Sequence, residues 1–175
     1  DARCAAWQER GVAAIAGQAV ALGIVTASVV GAPVPITSLH HTSSFACRHD
    51  SLTQWLRRRA VANASSGASR TYVVCAAQQR VVGYYALAAG SLAIDAAPSR
   101  LRRNMPDPLP IVVLGRLAVD EAWSNRGIGG GLLKDAVQRA LQAAQFIGVV
   151  ALLILAIDDE AKGFYAKHGF VGSPM

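Results

Sequence analysis

Apolar positions follow two different periods along the chain, and the switches between them outline its elements. The clearest helical period opens at Gly127: Ile128, Leu132, Leu133, Ala136, Val137, Ala140, Leu141 and Ala144 form an i, i+3, i+4 stripe, and Gly148 ends it. Leu52, Trp55, Leu56 and Ala60 recur at the same spacing, with Asp50 or Ser51 placed to cap that helix and Asn63-Ala-Ser-Ser-Gly67 to break it. Arg57, Arg58 and Arg59 fall between these apolar positions, so at least two of them face water. Strand-like runs cover Arg70 to Ala77 and Val81 to Ala89, an antiparallel pair joined by a turn at Gln78-Gln79. Further strands are predicted from Ile111 to Val119, ended by Asp120, and from Val149 to Ile157, whose unbroken apolar character suits a buried strand. Asp158 is placed to cap a short helix through Lys167, and Gly169-Phe170-Val171 begins a last strand.

The resulting order, β-α-β-β-β-α-β-α-β, is that of an α/β domain on a mixed sheet. At 175 residues there is room for one such domain, placed here at 34–175. Residues 1–33 read differently: they are rich in Ala, Gly and Val and lead into Ala32-Pro33-Val34-Pro35, a Pro-rich boundary. They are expected to be a leader or extension outside the core fold. Their stretch from Val12 to Val30 is too weakly hydrophobic for a membrane helix and lacks the charged start of a secretory signal, so no membrane partner is expected. Cys4, Cys47 and Cys75 show no CxxC spacing, which argues against a zinc site or disulfide framework and for a reducing cytoplasm; no metal is expected.

Charge changes the picture more by its place than by its total of +6. Residues 48–103 hold nine Arg against Asp50 and Asp95, whereas the rest of the chain is close to neutral. So local an excess suits a polyanionic partner, or a basic solvated face.

The strongest candidate chemistry is Arg126-Gly-Ile-Gly-Gly-Gly131, between a strand and a helix. Free amides at a helix start, unobstructed by side chains, make a phosphate cradle that the helix dipole reinforces. The bland alternative is that the glycines merely let a helix pack closely on a sheet. No Lys-Ser/Thr follows them, so this is not a P-loop, and no acidic residue ends the next strand as a dinucleotide fingerprint requires.

Leu114-Gly-Arg-Leu-Ala-Val-Asp120 followed by Trp123-Ser-Asn-Arg-Gly-Ile-Gly-Gly-Gly-Leu-Leu133 resembles the acetyl-CoA-binding core of the GNAT superfamily, and Asp159-Glu-Ala-Lys-Gly-Phe-Tyr-Ala-Lys-His-Gly-Phe170 resembles its second signature. The resemblance implies a GNAT acyl-CoA N-acyltransferase fold with acetyl-CoA as cosubstrate. The backbone of Leu117, Ala118 and Val119 would pair with the pantetheine arm. Arg126, Gly127, Ile128, Gly129, Gly130 and Gly131 would hold the pyrophosphate. Tyr165 matches the family's general acid, whose task is to protonate the departing thiolate; the alternative is a core aromatic. His168 reads as structural, and Cys75 has no neighbour that would activate it. Ser124 stands where the family usually has Gln or Arg, and Arg126 offers a comparable charge.

Over residues 34 to 175 the likeness narrows. Trp55-Leu-Arg-Arg-Arg59, Ser66-Gly-Ala-Ser-Arg-Thr71, Val82-Gly-Tyr-Tyr-Ala-Leu87 and Leu101-Arg-Arg-Asn-Met-Pro-Asp-Pro108 resemble the GNAT toxins of bacterial type II toxin–antitoxin systems, TacT- and AtaT-like. That resemblance implies acetylation of the α-amino group of aminoacyl-tRNA, arrest of translation, a ribbon-helix-helix antitoxin as partner, and a homodimer. Arg57, Arg58, Arg59, Arg70, Arg100, Arg102 and Arg103 become candidates for the tRNA phosphates, their guanidinium forks suiting bidentate contacts. Toxin relatives run on for about one more strand past Ser173-Pro-Met175, so the last C-terminal strand of the fold is expected to be missing. Two other readings fit the same motifs: a polyamine or aminoglycoside N-acetyltransferase, and a catalytically degenerate GNAT binding module.

Overall fold

The computed structural model describes the backbone of residues 12–14 and residues 30–172, except the side chain of Arg100. Seven strands are hydrogen-bonded in the order β2-β3-β4-β5-β6-β1-β7: β1 Val12–Ala14, β2 Val34–Pro35, β3 Arg70–Cys75, β4 Val81–Leu92, β5 Leu109–Val119, β6 Ala151–Leu155 and β7 Val171–Gly172. The helices are α1 Asp50–Ser66, α2 Ile128–Phe146 and α3 Asp159–Lys167. This is the mixed α/β arrangement the sequence predicts. Among the described residues no helix is long and apolar enough to cross a membrane.

By residue contacts the chain falls into two compact units. The first takes the described part of Val20–Ala88 with Gly115–Arg139. Its β3–β4 hairpin is antiparallel, from Arg70↔Leu87 to Cys75↔Val81, with a bulge between Val74 and Cys75. The hairpin turn puts both Gln78 and Gln79 at positive φ. Phe45, Leu56, Ala60, Val73, Val81, Tyr84 and Ala118 form its core, so α1 buries one face on this sheet. No side chain of Asp50 or Ser51 caps α1: the cap is His49, without a side-chain cap bond, and Asp50 sits in the first turn, where its charge favours the helix dipole. The helix also runs through Asn63 to Ser66. Only Gly67, left-handed at φ 79°, stops it, because that conformation lacks a Cβ penalty only in glycine.

The second unit takes the described part of Asp1–Ala19, Ala89–Leu114 and Ala140–Met175. Its strands β5 and β6 are parallel from Ile111↔Ala151 to Leu114↔Ile154. Only Leu152 and Ile154 of β6 are buried, so this strand has one core face rather than two. Val12–Ala14, expected with the rest of 1–33 outside the core, pair antiparallel with β6 on one side and β7 on the other. The remainder of 1–29 and Ser173-Pro-Met175 lie outside the described residues. The apolar stripe of α2 also ends early: Leu141 and Ala144 are exposed, as are Phe146 and Ile147.

Candidate active site

Strand β5 continues for five residues, Gly115–Val119, beyond its last register pair with β6. Asp120 then closes the strand. Its buried carboxylate accepts the amides of Ala122 at 3.0 Å and Ala46 at 3.2 Å, and lies 4.0 Å from the Arg80 guanidinium. A short turn, Glu121–Trp123, leads to Asn125 at φ 60° and Gly127 at φ 78°, which swing the chain into α2. The amide of Gly131 closes on the carbonyl of Gly127 at 3.1 Å, and amides ahead of it lack helical acceptors, as at any helix start. Arg126 is exposed at this turn, its guanidinium 4.7 Å from the Trp123 ring centroid and donating to Ala122 O at 3.1 Å.

Two glycines separate ligand access from packing. A Cβ on Gly83 in β4 would stand 3.0 Å from Leu132 Cδ1 and 3.1 Å from Ile128 Cγ2, so this glycine lets the start of α2 seat against the strand. A Cβ on Gly131 would meet nothing within 4 Å. Close packing therefore accounts for Gly83 but not for Gly131, and the open face over residue 131 fits the approach of a diphosphate.

Tyr165 lies in α3, which the Asp158 carboxylate caps by accepting the Ala161 amide at 2.7 Å. Its side chain is 7 % exposed, edge-on to Phe164 and Phe170 at 5.2 and 6.1 Å between ring centroids. Burial pushes its phenol up to about 12, and among the described residues its hydroxyl has no hydrogen-bond partner. The phenol is thus held in its neutral form. His168 is tied to its own helix, its Nδ1 2.8 Å from Phe164 O and its ring against Phe164. Burial pushes the Cys75 thiol up, opposite to what a nucleophile needs.

The candidate arginines divide by what they already hold. Arg57, Arg58, Arg59 and Arg70 are exposed in the first unit, where Arg57 donates to Phe45 O at 2.7 Å and Arg70 to Ala64 O at 2.8 Å. In the second unit Arg102 ties two short turns together through Ala97 O at 2.6 Å and Asp95 O at 2.8 Å, while Arg103 is exposed. The Arg100 side chain lies outside the described residues.

By sequence Arg116 lies on the cofactor strand, where it could touch substrate or pair with a neighbouring carboxylate; the aromatic cluster around it is not legible there. Its guanidinium lies 4.3 Å from the Trp55 ring centroid, and Trp55 stacks on Tyr84 at 5.8 Å with 15° between planes. Phe45 meets Tyr84 edge-on at 5.5 Å, and the Tyr84 hydroxyl donates to Leu52 O at 2.8 Å. The signal available was the paired aromatic and cation at Trp55 and Arg116, far apart in sequence.

Known proteins resemble this chain in sequence and in fold. The family model described as an acetyltransferase (GNAT) domain matches residues 68–172. A tRNA-acetylating toxin of Mycobacterium tuberculosis is 49% identical over 143 residues, which cover 82% of this chain and 86% of that protein. Among solved structures, AtaT complexed with acetyl-methionyl-tRNAfMet has a TM-score of 0.75 at 26% identity, covering 81% of this chain and 86% of that one. A point mutant of AtaT bound to the C-terminus of the antitoxin AtaR and acetyl-CoA shares the fold at a TM-score of 0.70 and 23% identity, with coverage of 82% and 86%. With a family match over most of its length and a relative of nearly half-identical sequence, the chain belongs to the GNAT family of acetyltransferases.

Proposed function

We propose that the protein acetylates the α-amino group of an aminoacyl-tRNA with acetyl-CoA as donor, and so removes the nucleophile that peptide-bond formation needs. The observation that carries this reading is the 49% identity to the mycobacterial tRNA-acetylating toxin over most of both chains. The excess of Arg in residues 48–103 supports it, since phosphate binding calls for clustered guanidinium groups.

Acetyl-CoA supplies the acyl group, activated as a thioester. The chain's residues bind and orient it. The amides of residues 126–131 take the pyrophosphate at the positive end of α2, with Arg126 adding its charge. The backbone of Leu117, Ala118 and Val119, beyond the β6 register, pairs with the pantetheine arm. The neutral substrate amine attacks the thioester carbonyl carbon, a C–N bond replaces the C–S bond, and the amine's proton passes to water. Tyr165 gives its proton to the departing sulfur. An α-amino group of pKa ~8 is partly neutral near pH 7, so no strong base is required. Arg58, Arg59 and Arg103, exposed, reach for phosphates; Arg57, Arg70 and Arg102 retain donors beyond those they spend on carbonyls, and Arg100 belongs to the same set.

As a toxin the protein works in the cytoplasm, is held in check by a ribbon-helix-helix antitoxin and forms a homodimer. Purified protein incubated with labelled acetyl-CoA and total charged tRNA should label aminoacyl-tRNA. Label on a polyamine, with none on any aminoacyl-tRNA, would overturn the reading.

A further inference from the structure

We infer that Arg116 is a specificity-determining residue that receives the phosphodiester of the acceptor's 3′-terminal nucleotide, with Trp55 holding its guanidinium in place. The inference rests on the aminoacyl-tRNA reading and adds to it a residue outside the clusters of surface arginines. Arg116 is half-buried on β5, one residue before the Leu117–Val119 backbone assigned to the donor. Strand alternation puts it on the same face as Ala118, which packs into the α1 core. A cation there ordinarily needs a carboxylate, because taking a charge out of water is costly unless it is paired. Among the described residues Arg116 has none: it takes no part in the ion pairs of Arg80 with Asp120, Arg139 with Asp135 or Lys162 with Asp159. Nor does a backbone carbonyl take its donors, as carbonyls do for Arg57, Arg70 and Arg102. Among the described residues its partner is the indole ring of Trp55, a contact that spends none of its N–H groups. The neighbouring Tyr84 hydroxyl is committed to Leu52 O and supplies no counter-charge in its neutral form. Burial draws the Arg116 pKa down, as expected of a cation whose compensation is missing from the protein itself. An anion supplied by the substrate completes this arrangement. In an aminoacyl-tRNA the phosphate nearest the reacting amine is the one joining the terminal nucleotide to the rest of the acceptor end.

The test compares two acceptors that share the α-amino group and the terminal adenosine, of which only the first carries that phosphate: an aminoacylated trinucleotide ending in adenosine, and the corresponding aminoacyl-adenosine. Arg116→Gln should lower kcat/KM for the trinucleotide about 10- to 100-fold, the scale of a charge-assisted hydrogen bond. It should leave kcat/KM for the aminoacyl-adenosine and KM for acetyl-CoA within about twofold. Arg116→Lys, which keeps charge but loses the fork, should fall between wild type and Arg116→Gln on the trinucleotide alone. Equal losses on both acceptors, or a loss confined to acetyl-CoA, would overturn the inference, as would unchanged kinetics in both variants. If the wild-type protein acetylates neither these acceptors nor any aminoacyl-tRNA, the aminoacyl-tRNA reading itself falls.

Discussion

The hydroxyl of Tyr85, on β4, donates to the carboxylate of Asp135, on α2, which Arg139 also holds at 2.8 Å. The Arg139 guanidinium in turn lies 3.9 Å from the Tyr72 ring centroid, and Tyr72 stacks on Tyr85 at 5.2 Å. This cluster fastens the middle of the helix whose first turn carries the glycines. Burial, then the Asp135 carboxylate, push the Tyr85 phenol well above its ordinary range, so it stays a donor. Tyr85→Phe leaves Asp135 its arginine and should destabilise by about 1 kcal/mol. Asp135→Ala strands a fully buried hydroxyl and an arginine together, and should cost about 2–3 kcal/mol. Urea unfolding of the two variants, with Asp135→Ala the weaker protein, is the check.

Gly131 and Gly83 should respond in opposite ways to alanine. At Gly131 the added methyl enters open space on a helix, so Gly131→Ala should raise stability by about 0.5–1 kcal/mol through helix propensity. The same methyl stands over amides assigned to the pyrophosphate, so KM for acetyl-CoA should rise roughly tenfold, about 1.4 kcal/mol. A thermal melt paired with steady-state kinetics reads both; a gain in stability without a loss of acetyl-CoA affinity would remove Gly131 from the cradle.

At Gly83 the methyl has no such room. It presses on Leu132, Ile128 and the Val74 side chain at 3.0–3.1 Å, and Gly83→Ala should destabilise by about 1–3 kcal/mol as the start of α2 lifts from β4. Leu132→Ala introduced into that background should relieve part of the loss, giving a coupling energy in a double-mutant cycle that a purely additive pair lacks.

The contrast between these two glycines shows where sequence reading reached and where it stopped. Strands β3, β4 and β5 and helices α1 and α2 were legible because each carries a long periodic run and ends at a glycine, an Asp or a polar turn. The motif from Leu114 to Leu133 was legible because its residue types are dictated by local backbone needs, such as Gly127 at positive φ. Gly83 looked no different from any strand glycine, since its necessity comes from Leu132 and Ile128, some fifty residues on. Val12–Ala14 carry no strand signal for a related reason: three small apolar residues have no period of their own, and their strand exists through pairing with β6 and β7. The apolar stripe of α2 overstates burial at its end, because Leu141 and Ala144 continue the period yet are exposed.

Tyr165 yields the sharpest pH prediction. Its folded pKa, raised by burial to about 12, lies above the ordinary value near 10, so the phenol keeps its proton throughout the working range. The rate should therefore climb with pH as the substrate amine, of pKa ~8, loses its proton, and should show no falling limb below about pH 10 from this residue. Tyr165→Phe should cut kcat roughly 100-fold or more, leave KM for acetyl-CoA nearly unchanged, and barely move the melting temperature at pH 7, because the lost hydroxyl has no partner among the described residues. The stability signature has a definite sign. A raised folded pKa means the native state holds its proton more tightly, so Tyr165's contribution is fully present below about pH 10 and is lost as pH rises through about 12. Over that alkaline window the wild-type protein should lose stability more steeply than Tyr165→Phe, and denaturant titrations at pH 9 and pH 11 on both proteins measure the difference. Parallel pH dependence in the two would show that the phenol is solvated rather than buried, and would undo the account of its role as a reserved acid.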